Sequence, residues 1–490
     1  MSWSGTRKRL LALGGLGIAV SAARLPGAWA GAPLLSRVAV DNGGRPFAGD
    51  SELVATLGAA SPPVAARLRF HLARRSLVTL EVLETGQGAA SERPVAVGQT
   101  AVAEQRVTLG AGERELAWAP DPSLPARTYI LRLTAEPRSG LSRTASARAI
   151  VRILGVDAGF AVRSARPGDA VNLVVRSDAA GLQLQMLQSG PEQEPTYANG
   201  VIQGIAVGAA SKVDWRSYRD QPGAIPVQLG ASWPSGVYAA QLAADDGRLG
   251  FAPLVIRPAA PRHRIAVVMP TTTWQAYNFY DADGDGWGDT WYAHWKTHIV
   301  DMTRAHAGRG VPYRYRSYDL GFQHWLARTG KQVDTYADED LEEFATADAL
   351  RSAYDLLVFP GHTEYVTTRI YDLVQGYRDR GGNLMFLSAN NFFRRVDREG
   401  ERVRLIKAWR DLGRPESALL GVQYVASDRG QRHAPFTVVG ADAAPWAFAG
   451  TGLGNGAQFG LYGIEIDARS PASPPDVQVL ATITDLFGPF

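Results

Sequence analysis

The sequence predicts a multidomain chain: two β-sandwich domains followed by an open, doubly wound α/β domain. Three observations predict it. Alternating runs such as Val78-Thr79-Leu80-Glu81-Val82-Leu83 and Thr128-Tyr129-Ile130-Leu131-Arg132-Leu133 recur in the first part of the chain, the period of half-buried strands. Continuous apolar runs then take over: Ile265-Ala266-Val267-Val268-Met269, Leu356-Leu357-Val358-Phe359 and Asn383-Leu384-Met385-Phe386-Leu387-Ser388, as expected of strands buried on both faces. Between the last two, Ile370, Leu373, Val374 and Tyr377 keep helical spacing up to Gly381-Gly382, a helix stop. Strand, helix, parallel strand is a right-handed crossover.

The N-terminus reads as an address. Arg7-Lys8-Arg9 precede an apolar stretch from Leu10 to Ala23, and Ala28-Trp29-Ala30 is a cleavage pattern, so residues 1–30 are expected to be a signal peptide. Thr6-Arg7-Lys8-Arg9-Leu10-Leu11 also matches a degenerate twin-arginine signal, leaving that route and the general secretory route both open. An uncleaved anchor is the bland alternative. No other apolar run reaches membrane-spanning length. The expected location is periplasmic or extracellular.

The 490 residues suit about three domains. Residues 31–153 read as the first sandwich. Residues 154–258 repeat the pattern: Ala165-Arg166-Pro167-Gly168-Asp169 is a turn, Val171 to Val175 a buried strand, and Trp233-Pro234-Ser235-Gly236-Val237-Tyr238 a corner into another strand. The order of strand, Gly-rich turn, Trp118 and the Arg127-Thr128-Tyr129 strand is loosely similar to immunoglobulin-like modules of flagellar-hook-cap type. Residues 259–490 form the α/β domain. A net charge of +3 with no long basic run gives no footprint for nucleic acid. The absence of Cys excludes disulfides, cysteine-ligated zinc and a cysteine nucleophile. No Walker loop, dinucleotide fingerprint or G-x-S-x-G elbow supports phosphate transfer, hydride transfer or serine hydrolysis.

In open parallel sheets ligands sit beyond the carboxyl ends of the strands. Three polar segments follow strands there: Thr271 to Asn278, Gly361-His362-Thr363-Glu364-Tyr365 and Ala389-Asn390-Asn391-Phe392-Phe393. His362 and Glu364 suit proton transfer or a hard cation, or else they tie down a sheet edge. Tyr277 and Tyr280, beside Trp274 and Phe279, read either as packing or as phenols that a metal would deprotonate. Asp281, Asp283, Asp285 and Asp289, with Gly286 in the sixth place, resemble a calcium loop, but Tyr292 stands where a bidentate Glu belongs. The alternative is a solvated turn. His294 and His298 have zinc-protease spacing, without its Glu.

Five segments occur in order: Thr273-Trp274-Gln275-Ala276-Tyr277-Asn278; Trp325-Leu326-Ala327 with Asp340-Leu341; Gly361 to Tyr365; Gly381 to Asn390; and Tyr462-Gly463-Ile464-Glu465-Ile466-Asp467. From about residue 260 onward the chain resembles the C-terminal domain of the N,N-dimethylformamidase large (β) subunit family. That resemblance implies a fold similar to class I glutamine amidotransferases. It also implies a mononuclear iron held by two tyrosines and a glutamate, with a His, an Asn and another Glu assisting amide hydrolysis. Carried over, the ligands are Tyr277, Glu364 and a second tyrosine, Tyr280, with Tyr292 in reserve. The assisting residues are His362, Asn390 and Glu465. A small partner subunit or an oligomer belongs to the same implication. The rival expectation is a secreted binding protein that keeps the fold and uses its tryptophans on carbohydrate or a surface polymer. A third is a calcium-stabilised structural protein.

Overall fold

The computed structural model describes residues 33–58, 64–87, 97–138, 143–193, 200–213, 223–293, 298–427 and 434–483. The expected signal peptide and His294 lie outside them. The described chain is sheet-rich, with 42% strand and 15% helix.

The first core lies between a three-stranded sheet (Leu35–Asp41, Ala66–Leu72, Gly112–Trp118) and a five-stranded one that includes Ser76–Gln87, Thr128–Pro137 and Ala145–Ile153. The second lies between a three-stranded sheet (Gly223–Gln228, Ala170–Ser177, Val156–Phe160) and a five-stranded one around Leu182–Gln188, Gly236–Ala244 and Leu249–Ile256. Both use the same corner. Tyr129 donates its hydroxyl to Pro125 O at 2.8 Å and packs edge-on against Trp118; Tyr238 donates to Pro234 O at 2.8 Å and stacks on Trp233. This is the tyrosine corner that pins a strand entering a sandwich. The strand Ala170–Ser177 alternates between buried and exposed residues instead of being buried throughout. It belongs to the outer layer of its sandwich, so only Val171, Leu173 and Val175 reach the core.

The third unit is built on a parallel sheet with the order Asp334–Ala337, Ile265–Met269, Leu356–Phe359, Asn383–Phe386. The chain therefore starts in an inner strand, adds one neighbour on one side and the rest on the other, which puts a switch point beyond Met269 and Phe359. Thr367 caps the helix Thr368–Asp379 by accepting from Ile370 N at 3.2 Å. That helix and Ala347–Ala353 cover one face of the sheet.

The other face departs from the doubly wound expectation. It packs mainly on the second sandwich, whose Val237, Ala239, Phe251 and Val255 share a core with Val267, Met269 and Val358. The apolar run at Ile265 did signal burial on both sides, but the cover is a sheet rather than a second helical layer. The run at Asn383 is an edge strand: Met385 and Leu387 are 42% and 48% exposed. Ion pairs of Arg163 with Glu339 at 2.8 Å and of Arg257 with Glu343 at 2.6 Å reinforce the sandwich contact. Among the described residues no helix is long and apolar enough to cross a membrane.

Candidate metal and hydrolytic site

The three polar segments are bonded to one another at the switch point. Glu364 N donates to Thr273 Oγ1 at 3.1 Å, which ties the third strand's loop to the short helix Thr271–Ala276. Ser388 Oγ donates to Gly361 O at 2.9 Å, and His362 Nδ1 lies 3.2 Å from Ala389 O. Gly361 is required by close approach: a Cβ there would lie 2.2 Å from Asp319 Oδ1. Asn390 and Phe392 hold left-handed backbones, at φ of 57° and 53°. Non-glycine residues rarely adopt this conformation, and it recurs at functional loops.

These loops bring six side chains together. Glu364 Oε2 is the hub. It accepts from Tyr277 OH at 2.7 Å and from Tyr292 OH at 3.1 Å, and His362 Nε2 lies 3.2 Å away. His362 Nε2 is also 3.4 Å from Glu465 Oε2, and Asn390 Nδ2 donates to Glu465 Oε1 at 3.2 Å. Glu465 arrives on a late strand, Glu465–Ala468, paired with Gln423–Ser427. The Tyr277 and Tyr292 rings stack 4.5 Å apart, and the Tyr292 hydroxyl meets that of Tyr365.

Burial and charge set the protonation states. Burial, then the Glu364 carboxylate, push the Tyr277 and Tyr292 phenols well above their ordinary value, so both are neutral donors here. Burial works against a charged His362, but Glu465 and Glu364 outweigh it and hold the ring up at about 9. Burial would raise Glu364, yet its bonds to His362 and Tyr277 keep it below the usual carboxylate range. Burial pushes Glu465 up to about 7 against the opposing pull of His362.

Tyr280 is not brought to this cluster. Its hydroxyl donates to Asp157 Oδ2 of the second sandwich at 3.2 Å. Tyr292, the reserve choice, occupies the place beside Tyr277. The chain between them, Asp281 to Asp289, is docked on the first sandwich: Thr128 Oγ1 donates to Asp281 Oδ2 at 2.5 Å and Thr85 Oγ1 to Gly286 O at 2.6 Å. Asp281, Asp283 and Asp285 offer oxygens within 4.8 Å of one another. Yet Asp281 already accepts from Gly284 N and Gly286 N, and Asp289 from Ala282 N at 2.7 Å.

A residue that sequence reasoning missed is Arg304. Its buried guanidinium donates to the carbonyls of Gln275, Asn278, Tyr280 and Asp289, bracketing the segment that carries the tyrosines. Nothing in its sequence neighbourhood signals that role, because its partners are backbone oxygens.

The donor set suits a hard cation. Two phenol oxygens and a carboxylate oxygen meet at one point, and hard oxygen donors select hard metals. The buried Asn390 Oδ1 has no partner among the described residues, which leaves an acceptor in the same enclosure unsatisfied.

Residues 211–486 match the family described as N,N-dimethylformamidase beta subunit-like, C-terminal. The N,N-dimethylformamidase beta subunit of Paracoccus aminophilus is 29% identical over 175 residues, which is 36% of this chain and 22% of that protein. The subunit of the same name from Alcaligenes sp. is 28% identical over 175 residues, with the same coverage. The match thus spans about a fifth of the length of these curated relatives. A solved structure of Salmonella alpha-2-macroglobulin aligns with 45% of this chain and 16% of its own, at 12% identity and a TM-score of 0.24, too loose to inform the fold.

Proposed function

The chain belongs to the N,N-dimethylformamidase beta subunit-like family, and from that premise we propose that it is a metal-dependent hydrolase of amide C–N bonds. The observation that carries the reading is the meeting of Tyr277, Tyr292 and Glu364 at one carboxylate oxygen. These three would hold a single iron. Bound there, iron would supply Lewis acidity toward an amide carbonyl or a water.

The remaining chemistry belongs to side chains around the hub. Glu465, partly buried and raised by burial to about 7, takes a proton from the attacking water at its carboxylate. His362 holds a proton on Nε2 between two carboxylates and returns it to the departing nitrogen. Asn390 Nδ2 is a donor placed to orient the substrate or its developing oxyanion. The bonds to Thr273 and Ala389 fix the loop so that little rearrangement accompanies reaction.

Around this site the proposal places a glutamine amidotransferase-like third domain at residues 259–490, behind sandwich domains at 31–153 and 154–258. It includes export to the periplasm or beyond. The curated relatives are named as beta subunits, so a partner subunit is part of the proposal.

Metal analysis of the purified protein, paired with amine release from a panel of amides, tests it. The expected result is about one iron per chain, with a phenolate charge-transfer band that Glu364→Ala and Tyr292→Phe abolish and Tyr280→Phe retains. Protein that binds no metal, or only calcium, would falsify the reading.

A further inference from the structure

A cleft of about 1310 Å³ opens beside the cluster, lined by both sandwiches and by the loop from Ala307 to Ser317. It is connected to the proposed site through an aromatic layer. Tyr313, on the cleft wall, stacks on Tyr277 with centroids 5.9 Å apart, and the Tyr318 ring meets His362 edge-on at 6.2 Å. Arg314 lies against both rings. Its Nε donates to Tyr313 OH and its Nη1 to Tyr318 OH, each at 3.0 Å, and its guanidinium carbon is 5.3 Å and 5.6 Å from the two ring centroids.

This arginine is held by two phenol hydroxyls rather than by an acid. Arg248, on the same wall, is paired with Asp178 at 2.7 Å and Asp246 at 2.6 Å. The partly buried Arg163, Arg257 and Arg410 each hold a glutamate. Among the described residues the Arg314 guanidinium donates only to the two phenols. Two of its five N–H groups are used, and three are left, enough for a bidentate grip on a carboxylate. Its backbone sits at φ 55°, in the left-handed region, a conformation that a non-glycine residue rarely adopts. The acids on the cleft wall are engaged elsewhere: Asp157 by Tyr280, Asp246 by Arg248 and Asp121 by Ser123.

We infer that Arg314 is a specificity-determining residue that receives a carboxylate of the substrate, so that the preferred substrate is an amide bearing an anionic group, with its remainder lying along the cleft. The cleft is far larger than a small neutral formamide needs, and pockets for drug-sized ligands fall in the range of about 300–1,000 Å³. The inference rests on the hydrolase reading for its chemistry, but not for its binding.

The test compares N-acetylglycine with its neutral analogue N-acetylglycinamide on the full chain, reading acetate release. A second arm measures N-acetylglycine binding by calorimetry, which needs no turnover. Wild-type protein is expected to prefer the anionic amide by about tenfold or more in kcat/KM. Arg314→Gln should erase that preference through KM and weaken the calorimetric Kd by a similar factor, and Arg314→Lys should restore part of both. Equal use of the two amides by the wild type, an equal loss for both in Arg314→Gln, or an unchanged Kd would each overturn the inference. If neither amide is hydrolysed while Arg314→Gln still weakens N-acetylglycine binding, the anchor stands and the hydrolase reading fails.

Discussion

Replacing Asp319 with Asn would remove a buried acid from beneath the Gly361–Glu364 loop. Asp319 is 1% exposed; its Oδ2 accepts from Trp274 Nε1 at 3.1 Å, and its Oδ1 has no partner among the described residues. Burial pushes its carboxyl up to about 7, with Trp274 and His362 opposing. Because the folded value lies above the unfolded one, the fold favours the protonated form. That stabilisation is complete below about pH 4 and is lost as pH rises to about 7. A rise of that size corresponds to a loss on the order of 4 kcal/mol. Asn does not titrate and mimics the neutral acid, since either side chain accepts from Trp274 and leaves a polar hydrogen unmatched. The variant should therefore match wild type near pH 4 and be more stable near pH 8. Urea midpoints of both metal-free proteins across that range measure the divergence. Parallel curves would refute the argument, because they would mean that Asp319 stays ionised in the fold.

Other substitutions probe the same framework. Tyr280→Phe removes the bond to Asp157 and should raise amide exchange in residues 281–289 about tenfold, while metal content holds; loss of metal would return Tyr280 to the ligand set. Thr128→Val keeps volume and deletes the hydroxyl on Asp281. Exchange at Gly284 and Gly286 should rise by a factor equivalent to about 1 kcal/mol, and an unchanged rate would mean that the first sandwich does not hold the loop. Gly310→Ala would set a Cβ 1.7 Å from Phe251 O at φ +88°. A drop of about 3 kcal/mol or more in stability is expected, and a variant melting with the wild type would contradict it.

Much of the framework was legible because it rests on local signals. Apolar runs marked the inner strands Ile265–Met269 and Leu356–Phe359, and the polar segments beyond them supplied Tyr277, His362, Glu364 and Asn390. What escaped was set by contacts far apart in sequence. Tyr280 is three residues from Tyr277, yet the backbone leaves the short helix at Tyr277, and Asp157 of another sheet takes the Tyr280 hydroxyl. Tyr292 returns only after a loop whose path is fixed by Thr85 and Thr128. Periodicity carries no record of such partners. The sandwich cover on the parallel sheet was hidden for the same reason, since a strand buried by helices and one buried by another sheet read alike. The edge strand at Asn383 was over-read because its outward residues, Met385 and Leu387, happen to be apolar.

The docked loop between the two stacked tyrosines couples regions that are remote in sequence. Thr85 and Thr128 grip Asp281–Gly286, the second sandwich grips Tyr280, and Tyr277 and Tyr292 flank both grips. Linkage is reciprocal. Any coupling between the Tyr277–Tyr292–Glu364 cluster and the seams between the units acts equally in both directions. Through such coupling, a ligand held at the cluster would resist shear between the units, and prying the sandwiches apart would loosen its hold.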